Sequence, residues 1–166
     1  MSDNELIKEA ANLAYEYQKK YHGCSQCVIK ALDDTLGLGG GPVFKAVTAL
    51  AGGIAMKGEL CGALISGIVA IGLAFGRETL EESWSSRGYT EAHYYAAELC
   101  DKFKEELGSI KCRDLLKARL GRSFDLRKRG ELRHLISAGT LECCPEVVRK
   151  GTRLAAEVIL QAKASD

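Results

Sequence analysis

The stretch Leu60-Cys61-Gly62-Ala63-Leu64-Ile65-Ser66-Gly67-Ile68-Val69-Ala70-Ile71-Gly72-Leu73-Ala74-Phe75-Gly76 runs for seventeen residues without a charge, closed by Glu59 and Arg77. That length is the lower edge for a membrane span. Two readings compete: a helix in lipid, or a helix buried in a globular fold. Gly62, Ser66, Ala70 and Ala74 recur four apart, and such a small-residue stripe lets a neighbouring helix approach closely. The flanking sequence decides between the readings. Segments on both sides carry one-sided apolar stripes that need an apolar partner to cover them. The expectation is therefore a central buried helix over about 59–75 and no membrane span.

Outward from this segment the chain reads as further helices. Leu6, Ala10, Leu13, Ala14 and Tyr17 share one stripe of a helix over 3–21, broken by Gly23. Cys24 to Leu36 reads as a second helix closed by Gly37. Pro42 suits the first turn of a third, ending at Gly52-Gly53. Beyond the central segment come a helix from Thr90 to Leu107, and one capped by Ser109 that runs to Leu120. The span from Gly121 to Gly139 reads as a loop with one short helix near 131–136. The last helix is expected from Pro145, at its first turn, to Ala162. Trp84, Tyr89, Tyr94 and Tyr95 are expected to pack the start of the fifth helix. With only two prolines and few β-type alternations, the fold class is all-α. The expected form is a compact bundle of about six to seven helices in a single domain over 1–166.

A chain of 166 residues, 46% of them hydrophobic, can bury a core without covalent staples. Its seven cysteines are therefore surplus to stability. The polar, acidic opening Met1-Ser2-Asp3-Asn4-Glu5 does not read as a secretory signal. The expected compartment is the reducing cytoplasm, where many cysteines point to metal or redox work rather than structural disulfides. The net charge of +1 names no partner. Lys111 to Arg133 holds nine Lys or Arg against three acids. Without interleaved aromatics or a helix-turn-helix pattern, it reads as a solvated face rather than a nucleic-acid surface.

The cysteines fall at suggestive places. Cys61 and Cys112 are expected in first helical turns, and the Cys143-Cys144 pair precedes Pro145 at what reads as a third helix start. Helix starts present unpaired N–H groups and the positive end of the dipole, which favour thiolate over thiol. Lys111 and Arg113 beside Cys112 act in the same direction. Cys24 and Cys27 form a C-x-x-C whose sulfurs, three residues apart on a helix, face one side. Cys100, among Ala96, Ala97 and Phe103, reads as a core residue. Dispersed over 24, 61, 112 and 144, the thiols do not fit a zinc finger. They can hold an iron–sulfur cluster if the fold gathers them.

In order, Cys24, Cys61-Gly62-Ala63-Leu64-Ile65-Ser66-Gly67, Cys112-Arg113-Asp114-Leu115-Leu116 and Cys144-Pro145-Glu146-Val147-Val148 resemble the redox-active protein family named for its C–GCAxxG–C–C cysteines. The resemblance spans roughly residues 10–160. Ser66 stands where that family has glycine, and Gly67 follows one residue later. The departure bears on helix packing and leaves the cysteine untouched. Cys144 fits the fourth position better than Cys143, and Cys27, Cys100 and Cys143 lie outside the four. A related domain occurs in split-Soret cytochromes, which carry haem and an iron–sulfur centre. This chain lacks C-x-x-C-H, so covalent haem does not carry over, whereas the iron–sulfur centre does.

The resemblance implies a redox protein in which Cys24, Cys61, Cys112 and Cys144 bind an iron–sulfur cluster or another metal and pass electrons. Three alternatives stay open. One is a thiol–disulfide oxidoreductase, free of cofactor, with Cys61 as the attacking thiol. Another is a zinc-binding helical module, and the last a helical interaction protein whose cysteines are core. Whether the chain is an enzyme is undecided at this level. The expected partner is a redox protein or substrate that the sequence leaves unnamed. A homodimer is open, and neither nucleic acid nor membrane is expected.

Overall fold

The computed structural model describes residues 1–80 and 82–165. Among them are eight α-helices and no strand. They are α1 (Asp3–Tyr21), α2 (Cys24–Leu36), α3 (Gly41–Ala46), α4 (Gly62–Phe75), α5 (Arg87–Leu107), α6 (Cys112–Leu120), α7 (Arg129–Ser137) and α8 (Thr140–Ala164). A short 3-10 turn, Val47–Leu50, follows α3.

Local chemistry sets several of these boundaries. Ser2 and Glu5 cap α1 reciprocally: Ser2 N–H donates to Glu5 Oε2 at 2.7 Å and Glu5 N–H to Ser2 Oγ at 3.4 Å. Gly37, in the left-handed conformation, closes α2. Ser86 caps α5 by accepting from Tyr89 N–H. Several observed boundaries differ from those read off the sequence, that of α4 because of a distant contact. The third helix stops at Ala46 instead of reaching Gly52. α4 begins at Gly62 rather than Glu59 because the segment before it is extended and paired with the segment before α6. Ser109 does not cap α6. Lys111 is its N-cap residue, and Ser109 Oγ accepts from Lys111 N–H and donates to Asp114. α8 begins five residues before Pro145, after Gly139 at φ 99°. Pro145 thus lies in the second turn, where it has no N–H to give to the Leu141 carbonyl.

α4 packs against α2, α5 and α8. It shares the centre of the fold with α8, which also covers α1. Small residues let the two approach. A Cβ on Gly67 would stand 3.1 Å from Ala155 Cβ, and one on Gly151 3.2 Å from Ala63 Cβ. Ser66, in the glycine position of the resemblance, is fully buried with a hydroxyl that has no hydrogen-bond partner among the described residues. No helix among the described residues is long and apolar enough to cross a membrane. Of the expected aromatic cluster, Tyr95 packs against Phe75 at 4.9 Å between ring centroids. Trp84 is exposed instead of packed.

The apolar interior has two parts. The main core includes Leu32, Leu64, Ile71, Leu99, Phe103 and Ile159. A satellite core of Leu116, Phe124, Leu126 and Leu135 holds α6 and α7 together. Cys61 belongs to the main core with Cys24 packed on it, and Cys112 and Cys144 pack on the satellite. The seam between the two is where the thiols meet.

Candidate functional site

Cys24, Cys61, Cys112, Cys143 and Cys144 line one cavity of about 40 Å³. Leu115, Leu116, Val147 and Val148 complete its walls, with Arg119 also on the lining. The four cysteines singled out from the sequence are thus brought together, and Cys143 joins them. Cys27 and Cys100 are not part of this cavity. Cys27 turns to the other side of α2, where its Sγ donates to the His22 carbonyl at 3.2 Å. There it lines a separate cavity of about 470 Å³ with Tyr17, Tyr21, His22 and Phe44. The C-x-x-C pair therefore does not act on one face.

Three helix starts deliver three of the thiols. Cys24 and Cys112 are the first residues of α2 and α6, and Cys61 is the N-cap residue of α4. Cys143 and Cys144 were expected at a helix start, but they lie one turn into α8 because that helix begins at Thr140. Cys61 and Cys112 are registered by a short antiparallel pairing. Cys61 N–H donates to the Ile110 carbonyl at 2.8 Å and Cys112 N–H to the Glu59 carbonyl at 2.7 Å, around the bridge between Leu60 and Lys111. The two cysteines are diagonal neighbours on one face of that pairing, a relation that places them roughly 7–8 Å apart. Arg113 clamps the arrangement. Its guanidinium donates to the Gly58 and Lys57 carbonyls at 3.2 and 3.3 Å and pairs with the Glu59 carboxylate.

The approach to Cys61 is a left-handed turn. Gly52, Gly53, Ile54, Ala55 and Met56 all have φ between 52° and 72°. Glycine is required at two places around it. A Cβ on Gly53 would stand 2.7 Å from Cys112 Cβ and 2.6 Å from the Glu59 nitrogen. A Cβ on Gly62 would stand 2.4 Å from Cys24 Sγ. These absent side chains make the room in which the sulfurs sit. Ile54 has no such reason to be left-handed. A β-branched residue at φ 58° is strained, and its side chain is partly exposed. Ile54→Gly is expected to stabilise the chain by about 1 kcal/mol, the per-residue cost of this conformation for an L-residue. Chemical denaturation checks it, and an unchanged or lower midpoint counts against the strain.

Burial reverses the electrostatics expected from the helix starts. The thiols of Cys24 and Cys61 are pushed up, chiefly by desolvation, Cys61 well above its ordinary range. N–H groups of Gly52 and Ser25 oppose the rise at Cys24, and those of Ala63 and Leu64 oppose it at Cys61. They do not overcome it. Cys112 is pushed up to about 12 by burial and by the neighbouring Cys24 and Cys144 sulfurs. Cys144 is the exception, lowered to about 7. The vicinal Cys143 thiol, which donates to the Thr140 carbonyl at 3.9 Å, keeps the proton of the pair and is itself pushed up. The Thr140 hydroxyl, 3.2 Å from the Cys144 sulfur, and Arg119 add to the lowering. The sequence carried a faint signal of this in the vicinal cysteines four residues after a threonine, but only with α8 begun at Thr140 do they share a turn.

The chemistry of the set is that of soft sulfur donors around a small, mostly apolar space. Such donors suit zinc, copper(I) or an iron–sulfur cluster. Each is a thiolate when bound, because the metal's charge displaces the proton. Among the described residues, no three His, Cys, Asp or Glu side chains stand ready-made to hold a metal ion.

A family model described as "Putative redox-active protein (C_GCAxxG_C_C)" matches residues 21–158. The chain belongs to this family. The match covers all five thiols of the cavity and every helix from α2 to the greater part of α8. No curated protein and no solved structure matches the C_GCAxxG_C_C chain described here.

Proposed function

We propose that this chain is a redox protein whose Cys24, Cys61, Cys112 and Cys144 hold an iron–sulfur cluster and exchange electrons through it. The observation that carries this reading is the convergence of three cysteine-bearing helix starts and Cys144 on one cavity. Four thiolates on one mostly apolar cavity, one buried and three half-buried, are untenable alone, since each charge needs compensation. A metal centre supplies that compensation, and the N–H groups of Gly52, Ser25, Ala63 and Leu64 are then placed to hydrogen-bond the sulfurs and tune the potential. The glycines at 53 and 62 leave the space. The reading requires the cysteine side chains to turn toward a common centre on loading. Iron, sulfide and zinc analysis with an absorption spectrum on anaerobically purified protein tests it. Stoichiometric iron and sulfide with visible absorption that bleaches on reduction supports it. Stoichiometric zinc without colour supports the zinc module instead, and a metal-free, fully folded chain refutes both.

A second reading, thiol–disulfide exchange, is favoured by one specific observation, the Thr140–Cys144–Cys143 arrangement at the cavity. Here the attacker is Cys144, not Cys61, because Cys61 is buried and its thiol is held in the neutral form. The Cys144 thiolate attacks a substrate disulfide, forming a mixed disulfide and releasing one substrate thiolate. The Cys112 thiol, after losing its proton, attacks the Cys144 sulfur and releases the second. The substrate gains two electrons and the protein ends with a Cys112–Cys144 disulfide. In the metal-free chain, alkylation by iodoacetamide is expected to label Cys144 first, with a midpoint below the ordinary cysteine value that rises in Cys143→Ala and Thr140→Val. The sign follows from the hydrogen bonds, which stabilise the thiolate and are lost in those variants. Peptide mapping that finds all the cavity thiols equally slow below pH 8.5, the ordinary cysteine value of about 8.5, excludes this reading.

A further inference from the structure

The segment Lys111 to Arg133 carries nine Lys or Arg against three acids, a net +6 in a chain whose total is +1, so the remainder carries −5. The molecule is electrically polarised, and its positive end is the α6–α7 layer over the thiols. Within that balance Arg122 pairs with Glu131 and Arg127 with Asp125, and Arg113 pairs with Glu59 outside the segment. Arg129 and Arg133 on α7 are exposed and pair with no carboxylate among the described residues. Leu132 and Ile136 lie beside them, exposed at 43% and 45%. Helical spacing puts these four residues within one arc of about 100° on the exposed side of α7, and the buried Leu135 flanks that arc beside Leu132. The outer side of α7 is thus an apolar pair edged by two unpartnered guanidinium groups. An apolar centre with a charged rim is the anatomy of a docking surface rather than of a solvated face.

Its place in the fold says what docks there. Leu135, on the inner side of α7, belongs to the satellite core on which Cys112 and Cys144 pack. The exposed face of the same helix therefore lies within one helix diameter, about 10–12 Å, of that core. A partner seated on it stands over the thiol site. Nucleic acid is the weaker occupant. Base stacking calls for exposed aromatic rings, and Phe124, the one aromatic of the segment, is buried beneath the Arg122 guanidinium at 4.2 Å.

We propose that the outer face of α7, formed by Arg129, Leu132, Arg133 and Ile136, is the docking surface for an acidic electron-carrier protein. The inference rests on the redox reading of the thiols for its purpose, but not for its test. Cationic rims of this kind steer an oppositely charged partner and set its on-rate, and the effect is screened by salt.

Binding is measured independently of redox state, by titrating the purified full chain with a fluorescently labelled plant-type [2Fe–2S] ferredoxin of net negative charge. Affinity is expected to fall by at least about tenfold between roughly 0.02 and 0.3 M salt, as the screening length shrinks. The double variant Arg129→Glu/Arg133→Glu is expected to lose at least about tenfold at low salt, with an unchanged melting temperature because both residues are exposed. Leu132→Ser/Ile136→Ser is expected to weaken binding and leave the salt slope in place. Equal binding by wild type and the charge-reversed variant overturns the proposal. So does tighter binding of a labelled single-stranded oligonucleotide than of the ferredoxin, or self-association of the chain that charge reversal abolishes. A chain that binds the ferredoxin in this way but holds no redox-active centre refutes the function proposed for the thiols and leaves the docking surface standing.

Discussion

Serine at position 24, 61, 112 or 144 is expected to yield a chain without the metal centre proposed for these four thiols. At neutral pH a hydroxyl offers neither the charge nor the softness of a thiolate. Altering a group that merely supports a ligand already costs about 10–100-fold in metal affinity, so loss of a ligand itself is expected to exceed that. Each of the four single variants should lose the iron content and visible absorption together. Cys27→Ser and Cys100→Ser should keep both, since neither sulfur reaches the cavity. Cys143→Ser should also keep its metal. Circular dichroism separates loss of metal from loss of fold, which matters most at Cys61, only 5% exposed. If all four serine variants carry wild-type metal, the four-thiolate centre is wrong. If only the Cys144 and Cys112 variants lose function, and they do so without any metal at stake, thiol–disulfide exchange takes its place.

Gly53→Ala is expected to destabilise the chain by about 2–5 kcal/mol, lowering the melting temperature by roughly 4–20 °C in a domain of this size. Two costs combine. The position has φ 72°, in the left-handed region, where an added Cβ costs about 1–2 kcal/mol. The new atom would also meet backbone at Glu59 and Gly58 and the Cβ of Cys112, all within 2.7 Å, and such overpacking costs about 1–3 kcal/mol. None of these neighbours is the end of a flexible side chain that can swing away. Gly121→Ala isolates the first cost, because Gly121 has φ 81° and open space around it. A Gly53→Ala variant no less stable than Gly121→Ala removes the argument that this glycine sets the spacing of the site.

The helical class, the first two helices and the grouping of Cys24, Cys61, Cys112 and Cys144 were all legible in the sequence. α1 and α2 run between the residues read from the chain because their ends are written locally, in Ser2 and Glu5 and in the glycines at 23 and 37. The uncharged segment was correctly placed inside the fold because the amphipathic helices around it needed something apolar to cover. The start of α8 was misread because proline's preference for a first turn is only a preference, and the chain turns at Gly139 instead.

What only the tertiary structure decided are matters of contact between distant residues. Cys61 caps α4 rather than sitting inside it because residues 58–61 pair with residues 110–113. Cys27 faces away from the site, and Cys143 toward it, because of how α2 and α8 are rotated against their neighbours. The protonation of the thiols was also misjudged from sequence. Helix ends, visible in the chain, favour thiolate at Cys61 and Cys112, but desolvation there is larger and has the opposite sign. A hydrogen bond from a neighbouring N–H is a property of a few consecutive residues. Exclusion of water from a sulfur is produced by every element packed around it, and so exists only once the chain has folded.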